Sequence, residues 1–165
     1  MSQFYKSKTR EYRARRAYEH TLDMDRRFKD EIVYSVKNSK VYNYATNVGI
    51  NFEYKTDILV VPYDTVTALD QYRDGRTAIL NFASYKHPGG KFLDGSMAQE
   101  ESLCHASFLY NVLREFKDTY YAWNNKNLNH SLYLNRALFS PDIYFEGTTT
   151  IKSSVITCAA PNKKA

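Results

Sequence analysis

Apolar residues recur loosely at helical spacing from residue 9 to 37 (Tyr12, Ala17, Leu22, Met24, Phe28, Ile32). No Pro or Gly interrupts them, which predicts one helix or two. The period then changes. Ile58 to Val61 is a short, mostly β-branched apolar run closed by Pro62 and predicts a buried strand. Asp64 or Thr65 is placed to cap the helical stretch TVTALDQY, and Asp74-Gly75 marks a turn. TAILNFA (77–83) predicts a second buried strand, and SYKHPGGKFLDGS a loop. From Ala98 or Gln99 to about Trp123 the chain reads as helix, with a broad apolar stripe through Leu103, Ala106, Phe108, Leu109, Val112, Leu113 and Phe116. After the polar break WNNKNLNH, DIYFEG and SSVITCAA predict two further strands, ended by Gly147 and Pro161. Strands alternating with helices argue for an α/β domain with three layers and a mixed sheet.

At 165 residues the chain is expected to form one domain with a substantial core. An apolar fraction of 43% beside 25% charged residues is that of an ordinary soluble protein. No apolar run approaches the ~18 residues of a membrane span, and the N-terminus lacks the apolar stretch of a signal peptide. Cys104 and Cys158 do not make a disulfide framework, so a reducing, cytoplasmic setting is expected. The net charge of +5 is uneven: residues 1–40 hold 11 Lys/Arg against 6 Asp/Glu, and the rest holds 12 of each. Such a segment attracts polyanions. A solvated basic helix is the simpler reading, and nucleic acid is not the expected partner.

The stretch from Asn81 to Glu101 leaves a strand, makes a glycine loop and enters a helix. Ligands of α/β folds collect where strands deliver loops at their carboxyl ends. Gly89 and Gly90 let backbone N–H groups approach an anion closely. The Asn81 amide can both donate and accept, which suits a sugar hydroxyl. Glu100 and Glu101 point about 100° apart on a helix, so they cannot do the same job. One can bind while the other faces a bond being broken, and glycosidic cleavage needs a carboxyl to protonate the leaving oxygen. The helix dipole alone also favours Gln-Glu-Glu at a helix start. His87, Cys104 and His105 lack the directions and spacing of a metal site, and Cys104 is expected to be a small core residue. Phe92 and Tyr85 flank the glycine loop and are the candidates to stack on an adenine, although core packing is the commoner fate of aromatics.

TAILNFASYKHPGGKFLDGSMAQEESLCHASFLYNVL resembles the signature block of the microbial-type poly(ADP-ribose) glycohydrolases: an Asn-Phe-Ala strand end, a glycine-rich loop, and Gln-Glu-Glu at this spacing. TREYRARRAYEHT and TDILVVPYDTVTAL before it, and LFSPDIYFEG and SSVITCAAPN after it, resemble the same family. The resemblance implies a macrodomain-like α/β/α fold, with residues 1–48 as an N-terminal helical extension and 49–165 as the core. It implies hydrolysis of the ribose–ribose O-glycosidic bond of poly(ADP-ribose), acting on the polymer or on an ADP-ribosylated protein, without metal or cofactor. Glu101 would protonate the leaving ribose oxygen and then help activate water. Glu100 would bind a ribose hydroxyl, Asn81 would hold the adjacent ribose, Gly89 and Gly90 would line the diphosphate, and Gln99 would orient the helix start or the substrate. Lys91 stands where the family has a third loop glycine, and adds a point charge there. The chain stops at APNKKA where related proteins continue, so the core is expected to lack its C-terminal part. A non-catalytic ADP-ribose reader or an inactive fragment is the alternative.

Overall fold

The computed structural model describes residues 9–47, 49, 53, 55–72 and 76–161; the expected Asp74-Gly75 turn lies outside them. The first apolar stretch forms two helices, α1 (Arg10–Arg27) and α2 (Lys29–Asn38). In α1, Ala17, Thr21 and Met24 recur at helical spacing and are buried. The break falls at Phe28, whose φ of −123° tilts the chain and brings its ring 5.5 Å from Phe108 and 5.8 Å from Tyr144.

A short strand β1 (Lys40–Tyr42) follows, which the hydrophobic pattern did not announce. Next come α3 (Thr65–Tyr72), β2 (Ala78–Ala83), α4 (Gln99–His105), α5 (Leu109–Leu113), α6 (Ala122–Lys126), β3 (Ala137–Glu146) and β4 (Thr150–Ala159). The long helix expected from residue 98 to 123 is therefore broken. Ser107 is the reason: its hydroxyl donates to the Leu103 carbonyl and accepts from the Leu109 N–H, taking groups a continuous helix would pair. The end of β3 uses the gap, with Ser107 bridging to Phe145 and the Glu146 N–H donating to the Ala106 carbonyl. Beyond α5 the chain tightens through a 3₁₀ turn (Arg114–Phe116) and widens into a π turn (Lys117–Tyr121).

The sheet is mixed, in the order β1-β3-β4-β2; β2 runs parallel to β4 and the other pairs are antiparallel. Register shifts between Ser140 and Ile143, where Pro141 has no N–H to give the ladder and Asp142 takes a φ of 55°. One face is covered: α2 and α5 pack on β3 and α4 on β2. Ile79, Leu138, Ile143, Phe145 and Val155 join Met24, Leu103, Phe108, Val112 and Leu113 in a single core. The opposite face of β2 leaves Leu80 and Phe82 46% and 60% exposed.

The expected strand at Ile58–Val61 does not form. Ile58 and Val60 are 87% and 90% exposed, and no ladder pairs this stretch among the described residues. An apolar run becomes a strand only with a neighbour to bond. At the free edge of β2 the Leu80 carbonyl and the Phe82 N–H are already taken by the Gln99 side chain.

Candidate active site

Gln99 opens α4 and closes the edge of β2. Its Oε1 accepts from the Phe82 N–H at 2.9 Å, and its Nε2 donates to the Leu80 carbonyl at 2.7 Å. The side-chain amide thus imitates one residue of an added strand and fixes the helix start against the sheet. Of the two roles open to Gln99 from sequence, orienting the helix is the one its hydrogen bonds serve.

That clamp places the next two residues under the carboxyl end of β2. Glu100 and Glu101 are both buried. Glu100 Oε2 accepts from the Ser84 N–H at 2.8 Å, and Oε1 from the Asn81 Nδ2 at 3.4 Å. Glu101 Oε1 accepts from the Lys91 N–H at 2.9 Å, and Oε2 from the Ala98 N–H at 3.1 Å. The glycine loop is wrapped on these carboxylates. Gly90 has a φ of +62°, and a Cβ there would stand 2.7 Å from Glu101 Oε1 and 3.0 Å from Glu100 Oε2. Gly89, at φ +65°, faces inward, where a Cβ would meet Tyr110 at 2.7 Å and Cys104 Sγ at 3.3 Å. Only glycine supplies this backbone and this clearance together.

Burial raises the Glu100 pKa to about 7, and the neighbouring Glu101 charge pushes the same way. The donors at Ser84, Asn81 and Gly89 pull it down but do not win. Glu100 thus holds a proton into the neutral range. Glu101 accepts a backbone N–H on each of its oxygens. Two buried polar atoms nearby have no partner among the described residues: Asn81 Oδ1 and the Tyr121 hydroxyl. Tyr121 sits on the π turn, and burial pushes its phenol well up, with Glu100 adding to the shift.

The other expected residues divide. Lys91 is exposed, while its N–H is committed to Glu101. Phe92 is only 1% exposed and packs on His105, Tyr110 and His20 at 4.6, 5.3 and 6.4 Å. Its ring faces the core, the packing fate given above as the commoner one, and is not available to stack on an adenine. Tyr85 is half-buried and stacks on Tyr133 at 5.0 Å. Cys104 is fully buried, as expected of a small core residue.

The chain matches the family described as microbial-type PARG, catalytic domain, over residues 6–146. It belongs to that family. No curated protein matches it. Solved structures similar to it include the poly(ADP-ribose) glycohydrolase of Thermomonospora curvata, at 25% identity and a TM-score of 0.76, covering 92% of this chain and 65% of that one. The Deinococcus radiodurans enzyme in complex with ADP-ribose is also similar, at 25% identity and a TM-score of 0.65, covering 79% of this chain and 58% of that one. The chain therefore spans less than two thirds of the length of these glycohydrolases.

For a member of the PARG family, sequence reasoning missed Ser84, whose N–H anchors Glu100, and Tyr121, buried beside it. It also missed the hold of α1 on the glycine loop. Arg10 Nε donates to the Asp94 carbonyl and Arg13 Nε to the Gly95 carbonyl, while Gly95 packs directly on the α1 backbone at Arg10. Backbone contacts leave no residue-type signal. The arginines read as plain charge until the loop was placed beside them.

Proposed function

We propose that this chain is a glycohydrolase that cleaves the ribose–ribose O-glycosidic bond of poly(ADP-ribose). Membership of the PARG catalytic-domain family and the fold shared with two glycohydrolases support the reading. The observation that carries it is the convergence of Glu100 and Glu101 on one point of the glycine loop, at the carboxyl end of β2. A protonated carboxyl donates to the leaving ribose oxygen as the glycosidic C–O bond breaks. Water then adds to the oxocarbenium-like carbon and returns a proton to that carboxylate. Glu101 is assigned this role, with Glu100 and Asn81 binding ribose and Gly89 and Gly90 facing the diphosphate. The unpartnered Asn81 Oδ1 is an acceptor free for a sugar hydroxyl. ADP-ribosylated protein is the corresponding macromolecular substrate, and a cytoplasmic setting fits the free cysteines.

A second assignment is favoured by one observation: Glu100 is the member of the pair with a pKa near 7, where an acid is best poised. Mass-spectrometric detection of ADP-ribose released from poly(ADP-ribose) separates the assignments. Glu101→Gln should cut release by about 10²–10⁴-fold with ADP-ribose binding retained. A loss of that size in Glu100→Gln alone, with binding intact, would move the acid to Glu100. Calorimetric binding by the parent with no release would make the chain an ADP-ribose reader.

A further inference from the structure

The Tyr121 side chain is wholly buried, yet its hydroxyl has no partner among the described residues. A buried hydroxyl is costly to leave unpaired, and packing alone would be served by a phenyl ring. Its backbone ends the π turn Lys117–Tyr121, a geometry that is rare and concentrates at functional positions. Arg136 holds that turn: Nη2 donates to the Thr119 carbonyl at 3.2 Å and Nη1 to the Tyr120 carbonyl at 3.4 Å. The Tyr120 ring lies 5.1 Å from that of Tyr121 and perpendicular to it, and its hydroxyl donates to the Thr157 carbonyl at 3.0 Å. Asn81 Nδ2 in turn donates to Thr157 Oγ1 at 3.3 Å and to Glu100 Oε1 at 3.4 Å. The π turn and the Glu100 carboxyl thus belong to one hydrogen-bonded frame.

The surroundings of Glu100 give the unpaired hydroxyl a use. Among the described residues, the titratable groups coupled to Glu100 are Glu101 and Cys104, from its own helix, and Tyr121. β2 and the loop after it bring neutral donors: the Asn81 amide and the N–H groups of Ser84 and Gly89. An N–H donor favours the ionised carboxylate and cannot accept the proton of a neutral carboxyl. The unpaired Asn81 Oδ1 can only accept. A hydroxyl does both, by turning about its C–O bond. Burial keeps the Tyr121 phenol neutral, so it retains both capacities.

We infer that Tyr121 is a positioning residue for Glu100. The π turn presents its hydroxyl to the buried carboxyl, where it donates to the ionised form and accepts from the neutral one. The carboxyl then keeps one orientation through its titration, and with it one geometry toward a ribose hydroxyl. The inference rests on the proposed reading of the Glu100–Glu101 pair as the site.

The test titrates Glu100 itself without substrate, so a chain that releases no ADP-ribose still decides it. The 165-residue chain is labelled with carbon-13 at its glutamate carboxyls and followed by NMR against pH. The Glu100 signal is the one that Glu100→Gln removes. A hydroxyl bonds more strongly to the charged form, so Tyr121→Phe should raise the Glu100 midpoint by about one pH unit. Ring-fluorinated tyrosine at position 121, a stronger donor of nearly the same shape, should lower it. A ring that only fills space moves the midpoint in neither chain. Circular dichroism of both should match the parent; if Tyr121→Phe does not fold, the sign of the shift in the fluorinated chain decides. A midpoint left in place, moved the same way by both substitutions, or moved in the reverse senses overturns the inference.

Discussion

The two faces of β2 have opposite fates. Inward, Ile79 joins the core, Asn81 reaches Glu100, and Ala83 is buried. Outward, Leu80 and Phe82 stand in solvent one residue away. The residue types differ little between the faces; AILNFA is apolar but for Asn81, which points inward. What separates them is the neighbour each finds. A strand covered on both faces is written as an apolar run, whereas a strand with one wet face alternates apolar with polar residues. β2 has the first kind of sequence and the second kind of surroundings.

The largest effect should come from breaking the inward side at the glycine loop. Gly90→Ala forces a Cβ into the Glu101 carboxylate at a positive φ. We expect a loss of about 2–4 kcal/mol in denaturant unfolding, combining backbone strain with displacement of a buried carboxylate. Gly49→Ala, with nothing within 4 Å, should stay within about 0.5 kcal/mol. Equal losses would mean the loop is not held against the glutamates.

Glu100→Gln comes next and is read through pH. The Glu100 pKa is raised by folding from 4.5 to about 7. Its contribution to stability is therefore fully present below pH 4.5 and is lost as pH rises through about 7. The variant should lack that slope and lose less stability between pH 5 and pH 8, by about 2–3 kcal/mol from the size of the shift. His105 acts in the opposite sense. Burial lowers its pKa from 6.5 to about 4, so its contribution is present above pH 6.5 and fades as pH falls through about 4. Unfolding curves at pH 5, 6.5 and 8 for both chains check this. Because His105 is common to both chains, a variant whose change in stability from pH 5 to pH 8 equals the parent's would show Glu100 to be ionised throughout.

Gln99→Ala tests the clamp that joins the two sides. It frees the Leu80 carbonyl and Phe82 N–H to water and removes two hydrogen bonds, a cost of about 1–2 kcal/mol. Exchange of the Phe82 amide should rise at least tenfold. An unchanged amide would mean another group closes this edge.

The sequence showed the inward side and misjudged the outward one, for physical reasons. Gly89 and Gly90 were legible because a positive φ selects glycine, and Asn81, Glu100 and Glu101 because an amide and two carboxyls stand out by type in an otherwise apolar stretch. Strands 78–83 and 150–159 followed from their apolar content. Ser84 and the loop N–H of Lys91 were illegible, because any residue but proline offers that group. The directions of the Phe92 and Gln99 side chains were not legible, since direction relative to the core is set by packing. Ile58–Val61 carried a genuine strand signal; propensity supplies a strand's side chains, and only a neighbouring chain supplies its hydrogen bonds.

The smallest expected effect sharpens the comparison most. Phe82→Thr removes an aromatic ring from a strand, which in a covered sheet would cost several kcal/mol. Here the ring is 60% exposed, and threonine, like phenylalanine, favours a strand. The change in unfolding free energy of the isolated chain should lie within about 0.5 kcal/mol of zero. Ile79→Ala, on the other face and three residues upstream, should cost about 2–4 kcal/mol through the cavity it leaves. The ratio of these losses measures how unequal the two faces are in solution. If Phe82→Thr costs as much as Ile79→Ala, the outer face is already covered in the isolated chain, by a second copy or by residues outside those described. If it costs nothing, Phe82 stands on a face from which folding of this chain alone gains nothing.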